Sequence, residues 1–162
     1  MSELSIIPFR AEHLGLLQAR KFEAHEMELL GDPANRVREY LRGGAAYTGI
    51  VKGQVMGCAG IFPLWRGVAE VWMITTDLVS RYPKAFHQAI ANGLEIAGHS
   101  MGLWRIQTAV HQNHLVSQKW LRRLGFNREG NMPGYGPDGA TYIRMARLNR
   151  ELMPKQQREG GA

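Results

Sequence analysis

The chain has 162 residues and a mass of 18.2 kDa, room for one core and little for a second. Apolar residues at 44% and charged residues at 21% exclude wholesale disorder, and a single cysteine, Cys58, excludes an internal disulfide or a cysteine zinc cage. The formal charge is +6 and all of the excess is C-terminal: ten Lys and Arg meet ten Asp and Glu in residues 1–100, against ten and four in residues 101–162.

Residues 4–10 read as a short strand in which Pro8 suits an edge position. Residues 11–30 read as a helix carrying Leu14, Leu17, Met27, Leu29 and Leu30, stopped by Gly31-Asp32-Pro33, and a shorter helix covers residues 35–41 before Gly43-Gly44. Residues 46–51 and 55–62 are rich in strand formers on either side of Lys52-Gly53-Gln54, which predicts a hairpin, and Cys58 reads as a small core residue within it. A turn at residues 63–67 leads into a longer strand, 68–76. Pro83 suits a first helical position, and Phe86, Ile90, Leu94 and Ala97 recur on one face of the helix that follows.

Residues 103–110 alternate as a strand, residues 115–124 form a helix with Gly125 as its cap, and a Gly/Pro-rich loop at 130–139 precedes a last strand at 141–148. The polar tail 154–162 is expected to fray. This order predicts an α/β fold with a mixed sheet, partly antiparallel and partly joined through a helical crossover. No apolar run approaches the roughly 20 residues of a membrane span, and the N-terminus lacks an export signal, so a cytoplasmic protein with no membrane partner is expected.

The stretch Val110-His111-Gln112-Asn113-His114-Leu115-Val116-Ser117-Gln118-Lys119-Trp120-Leu121-Arg122-Arg123-Leu124-Gly125-Phe126, in this order of elements, resembles the GNAT superfamily of acyl-CoA-dependent N-acyltransferases. It is similar to the family's passage from fifth strand to fourth helix, where Asn is followed at three residues by Ala or Ser, at seven by Tyr or Leu, and at eleven and twelve by Gly-Phe. Anchored on Gly125-Phe126, His114 takes the Asn position, Ser117 the Ala/Ser position and Leu121 the Tyr position. The resemblance covers residues 4–148. The family's pyrophosphate loop, Gln/Arg-x-x-Gly-x-Gly/Ala, corresponds to Arg81-Tyr82-Pro83-Lys84-Ala85-Phe86, where Arg81 fits and Lys84 and Phe86 replace the small residues. A helix of this kind behind a glycine-poor loop is similar to divergent GNAT-like proteins of tailed phages and prophages, some of them internal virion proteins.

The resemblance implies a GNAT fold, a twisted sheet with helices on both faces, splayed between the fourth and fifth strands. It implies a GNAT-like domain at residues 1–150 followed by a polar tail, 151–162. It further implies transfer of an acetyl group from acetyl-CoA to a primary amine by direct attack. Glu70, in the fourth strand, takes the role of general base, which an ammonium needs before its nitrogen can attack; the alternative is a solvated strand carboxylate. Ile74, Thr75 and Thr76 would offer main-chain groups to the pantetheine arm, the alternative being ordinary sheet pairing. Arg81 and Lys84, with Ala85 and Phe86, form the phosphate end, or are common surface residues near a turn.

His114 and Ser117 are candidates for bonds near the thioester or for a proton relay, against a capping histidine and a packing serine. Leu121 cannot donate a proton, so Tyr135 or Tyr142 substitutes, or the thiolate leaves unprotonated. His111 and His114 lack a third ligand, so no metal site is expected. Trp65, Trp72, Trp104 and Trp120 are assigned to core or pocket.

The alternative function is a catalytically inactive GNAT-fold phage or prophage structural or assembly protein, found in the virion and forming a homo-oligomer or partner-bound state. Nucleic-acid binding through the basic C-terminal part is a third reading. Lys119, Arg122, Arg123 and Arg128, with Arg144, Arg147 and Arg150, would form either a CoA-facing rim or a solvated surface.

Overall fold

The computed structural model describes residues 4–29, 35, 38, 41 and 43–158, the side chains of Glu23 and Glu26 excepted. Seven strands form one mixed sheet in the order β1-β2-β3-β4-β5-β7-β6: β1 Leu4–Pro8, β2 Ala45–Val51, β3 Gln54–Trp65, β4 Val68–Thr75, β5 Arg105–His111, β6 Asn127–Met132 and β7 Tyr142–Leu148. Between them lie α1 Lys21–Leu29, α2 Leu78–Arg81, α3 Pro83–Ser100 and α4 Leu115–Arg123, with α5 Lys155–Arg158 at the end. This is the α/β architecture that the order of elements predicts. The chain divides into two compact units, Met1–Phe62 with Val71–Ile90 and Pro63–Glu70 with Ala91–Ala162.

In the first unit, β1 pairs antiparallel with β2, and β2 with β3. The hairpin turn is two residues long, with Lys52 at φ 46° and Gly53 at φ 76°, because a turn of this hand requires positive φ at both positions. The core gathers Phe9, Leu14, Ala46 and Cys58, with Trp72 edge-on to Phe9 at 5.7 Å between centroids. The helix expected over residues 11–30 is interrupted. A 3-10 turn, Ala11–Leu16, ends at Leu17, and α1 starts only at Lys21. Between them Ala19 bridges Thr76, and Arg20 N–H donates to Thr75 O at 3.0 Å, so sheet pairing overrides the helical pattern. Leu30, the Gly31-Asp32-Pro33 stop and most of the helix expected at 35–41 lie outside the described residues.

The turn expected at 63–67 is shorter than predicted, since β3 continues to Trp65. The β2 register ends at Ile61, so Pro63 lies in the overhang, where its missing N–H deprives β2 of nothing. Short α2, just ahead of α3, was not expected; α3 itself runs as its proline and apolar spacing predict.

In the second unit, β5 pairs antiparallel with β7 along its whole length, but parallel with β4 over three residues only, from Val68 with Arg105 to Glu70 with Gln107. Helix α4 closes with two bonds, Gly125 N–H to Arg122 O and Phe126 N–H to Leu121 O, both 3.0 Å, with Gly125 at φ 88°. This pair of bonds defines a Schellman motif, and both of its apolar partners, Leu121 and Phe126, are buried. The loop expected from Gly130 begins instead inside β6, an exposed strand whose register slips by one residue between Arg128 and Gly130. In the tail, residues 155–158 form a helical turn. Among the described residues no helix is long and apolar enough to cross a membrane.

Candidate active site

The first unit carries most of the residues expected to hold a cofactor; His114 and Ser117 lie in the second. Thr76 donates its N–H to Met56 O at 3.0 Å, its hydroxyl donates to the same carbonyl at 3.1 Å, and that hydroxyl accepts from Leu78 N–H. Successive residues of an antiparallel ladder turn their main-chain groups to opposite sides. Ile74 therefore directs its groups toward β3 as Thr76 does, and a Cβ at Gly57 of β3 would meet Ile74 O at 2.9 Å. Thr75 points the other way, where its carbonyl accepts from Arg20. Of the three, only Thr75 turns its main chain away from β3.

At the end of α2, Arg81 is exposed, Tyr82 intervenes, and Pro83 opens the 18-residue α3. Pro83 has no N–H, and the Phe86 N–H donates to Tyr82 O at 3.0 Å. Lys84 and Ala85 are left as the N–H groups of this turn with no backbone acceptor among the described residues. Two amides at the positive end of a helix, beside the exposed cations Arg81 and Lys84, have the chemistry of an anion site, with side-chain charge where a glycine loop would offer more amides.

The second unit holds a polar cluster on one face of its sheet. Glu70 Oε2 accepts from Gln107 Nε2 at 3.2 Å, and Oε1 lies 3.3 Å from Arg144 Nη1, with both charged side chains about one-fifth exposed. That Nη1 is buried and, although near the carboxylate, is out of line for a hydrogen bond, so the contact is one of charge alone. Arg144 lies under the Tyr135 ring at 5.8 Å, and Tyr142 packs against Tyr135 at 5.4 Å and His111 at 5.3 Å. Strand register explains the gathering: Glu70 pairs with Gln107, Ala109 with Arg144 and His111 with Tyr142, which puts all of these side chains on one face.

Next along the cluster, Gln107 Oε1 accepts from Arg105 Nε at 2.8 Å, and Arg105 grips Glu129 through both Nη atoms. The hydrogen bonds from Arg105, ahead of the opposing effect of burial, hold Glu129 below the usual carboxylate range.

His114 is buried at the N-cap of α4. Its Nδ1 accepts from Ser117 N–H at 3.4 Å and its Nε2 lies 3.0 Å from Ser117 Oγ, so the tautomer that satisfies both carries its proton on Nε2. His114 and Ser117 are thus joined to each other in a capping arrangement. Leu121, at the position where the resembling family often has Tyr, is buried in the α4 cap.

Sequence reasoning missed Gln107 and gave Arg144 only to a basic rim or solvated surface. For Arg144 the signal was present: it lies between buried Ile143 and Met145, and such a residue needs a buried partner. The basic C-terminal cluster is smaller than expected, because Arg144 faces Glu70 and Arg147 pairs with Glu95. Lys119, Arg122, Arg123, Arg128 and Arg150 are exposed. Trp65 is exposed and belongs to no core.

No protein-family model matches the sequence, and no curated protein matches it. Solved structures do. A GNAT-family acetyltransferase from Bacillus anthracis superposes with a TM-score of 0.68 at 18% identity, over 91% of this chain and 96% of that one. A spermidine N-acetyltransferase SpeG chimera from Vibrio cholerae and hSSAT gives 0.67 at 12%, over 93% and 98%. A GNAT-family acetyltransferase from Elizabethkingia anophelis with acetyl-CoA bound gives 0.66 at 12%, over 92% and 100%. At these identities the likeness establishes the fold: the chain has the fold of GNAT acetyltransferases.

Proposed function

We propose that this chain, built on the GNAT fold, is an N-acetyltransferase that moves an acetyl group from acetyl-CoA to a primary amine by direct attack. The observation that carries the reading is Glu70, a half-buried carboxylate at the last paired residue of the short β4–β5 ladder, oriented by Gln107 and Arg144. A structural neighbour with acetyl-CoA bound supports the cofactor, and so does the anion chemistry of the turn from Arg81 to Phe86.

When bound, acetyl-CoA supplies a thioester carbonyl for the amine to attack and a thiol as leaving group, so that amine and acetyl thioester give N-acetyl amide and free CoA. Arg81 and Lys84 would hold the phosphates, with the Lys84 and Ala85 amides and Phe86 in the same turn. In the segment Ile74, Thr75 and Thr76, only Thr75 turns its main chain away from β3, and its carbonyl is taken by Arg20, so the pantetheine arm would pair with Met73, which shares that side by alternation. Glu70 takes the proton from the acceptor ammonium and frees the nitrogen lone pair. Tyr142, buried beside Tyr135, would supply the proton that the leaving thiolate needs, with His114 and Ser117 as the second candidate pair.

Thermal shift with acetyl-CoA tests the reading. A site at 100 times its dissociation constant adds about 2.7 kcal/mol of stability. Glu70→Gln should retain that shift and lose about a hundredfold or more in transfer to a primary amine. Absence of any shift at millimolar acetyl-CoA overturns the proposal.

One observation favours a second reading, a structural or assembly component without catalysis: among the described residues, Pro83 and the bonded Phe86 N–H leave Lys84 and Ala85 as the amides of the turn without a backbone acceptor. That reading predicts an oligomer or a partner-bound state by light scattering, with no cofactor bound.

A further inference from the structure

We propose that Glu70 and Arg144, beside the Tyr135 ring, recognise a small zwitterion, an amine carrying a carboxylate on the neighbouring carbon, as in an α-amino acid. The assignment deepens the acetyl-transfer reading by naming its acceptor class. Recognition itself depends only on the second unit.

The two ion pairs of this cluster differ in a way that separates structure from function. Arg105 and Glu129 are closed on each other by two in-line bonds of 2.7 and 2.6 Å, the bidentate geometry of a finished pair. Glu70 and Arg144, joined to that pair through Gln107, touch at 3.3 Å without a hydrogen bond, and the buried Arg144 Nη1 stays unsatisfied. Buried donors are rarely left so, and a guanidinium held in this state is completed by a carboxylate. An α-amino acid offers that carboxylate to Arg144 and, on the next carbon, an ammonium to Glu70. It replaces one off-line charge contact by two matched ones.

Charge also selects against the other large class of amine. A polyamine approaching Glu70 brings further cations next to Arg144 and has no anion to offset them, whereas a zwitterion adds no net charge. The placement of Tyr135 is a built feature. Gly139 N–H donates to Gly136 O at 2.8 Å, Gly136 N–H to Ala140 O at 3.0 Å and Ala140 N–H to Asp138 Oδ1 at 3.0 Å, with Gly134 and Gly139 at φ 69° and 79°. These bonds hold the turn that presents Tyr135, half-exposed, above the Arg144 guanidinium.

The test is binding to the full chain without acetyl-CoA, by thermal shift and then calorimetry. Its probes are the proteinogenic α-amino acids, their decarboxylated amines such as phenethylamine, histamine and cadaverine, and spermidine. At least one amino acid should raise the melting temperature while its decarboxylated amine does not. Arg144→Gln should weaken that amino acid about tenfold or more. Tyr135→Ala, which leaves the ion pair in place, should weaken it by a smaller factor and covers the case in which the Arg144 variant fails to fold.

The proposal is overturned if no amino acid shifts the protein, or if an amine or spermidine binds as well as the amino acid. Amino-acid binding without any response to acetyl-CoA would sink the acetyltransferase reading and leave this one standing. Acetyl-CoA binding without any amino-acid response would do the reverse.

Discussion

Arg105 and Glu129 meet across two strands that are not neighbours: β7 lies between β5 and β6, yet Nη1 and Nη2 reach Oε1 and Oε2 at 2.7 and 2.6 Å. The pair spans β7 and ties the outer strand of the second unit to its interior. Hydrogen bonding from Arg105 lowers the Glu129 pKa, so the stabilisation is present above the carboxylate's unfolded value and is lost as pH falls through the folded one. Glu129→Gln should cost about 0.5 to 1 kcal/mol at neutral pH, the worth of a partly exposed pair, and almost nothing at acid pH. Chemical denaturation of both proteins across pH 3 to 7, roughly the range over which such a carboxylate titrates, checks it; a constant difference would show that the pair does not titrate with folding.

Gly67 should be intolerant of any side chain. It sits at φ 77°, accepts from the N–H groups of Trp104 and Arg105 at 3.0 and 3.1 Å, and a Cβ there would lie 2.3 Å from the Trp104 ring. Backbone strain and overpacking add, so Gly67→Ala should destabilise by about 2 to 4 kcal/mol. A melting curve reads the loss. Gly53→Ala, also at positive φ but in open space, should cost only the backbone part.

Cys58 should be inert in the folded protein. It is buried, and burial pushes its thiol pKa up against the smaller lowering effect of the Thr48 hydroxyl 3.5 Å away. Thiolate is the reactive form, so alkylation at mildly alkaline pH should proceed only through unfolding and accelerate in denaturant. Fast labelling of the native protein would contradict the buried position.

The exposed charges allow the CoA and nucleic-acid readings to be tested separately. Arg81→Glu with Lys84→Glu should weaken CoA about tenfold or more, with little effect on folding, because both side chains are exposed. Arg122→Glu with Arg123→Glu, on α4, should leave CoA affinity near that of the parent and reduce any salt-sensitive retention on DNA. Calorimetry with CoA and a salt gradient on immobilised DNA read the two effects independently.

Much of the frame was legible because local rules agreed with one another. Pro83 and the apolar spacing from Phe86 to Ala97 specified α3, Lys52-Gly53 specified the hairpin, and Gly125-Phe126 specified the end of α4. Strand β6 was illegible, since Asn127 to Met132 alternates nothing apolar and pairs only because β7 presents an open side. The break at Leu17 was hidden for a related reason: it arises from Ala19 and Arg20 meeting Thr75 and Thr76, more than fifty residues later. In the candidate site Glu70 was readable from its strand, but its partners Gln107 and Arg144 depend on two strand registers that no local spacing encodes.

The two outermost strands share a property that bears on how copies of the chain can meet. An open sheet edge is a template for another strand, and intermolecular pairing there leads to aggregation. At one end, Pro8 removes an amide from β1; at the other, the bulge between Arg128 and Gly130 breaks the regular spacing of β6, which also carries a positive and a negative side chain side by side. Among the described residues, neither edge offers an uninterrupted row of donors and acceptors. Association between copies is therefore steered toward contact through side chains, and away from continuation of the sheet.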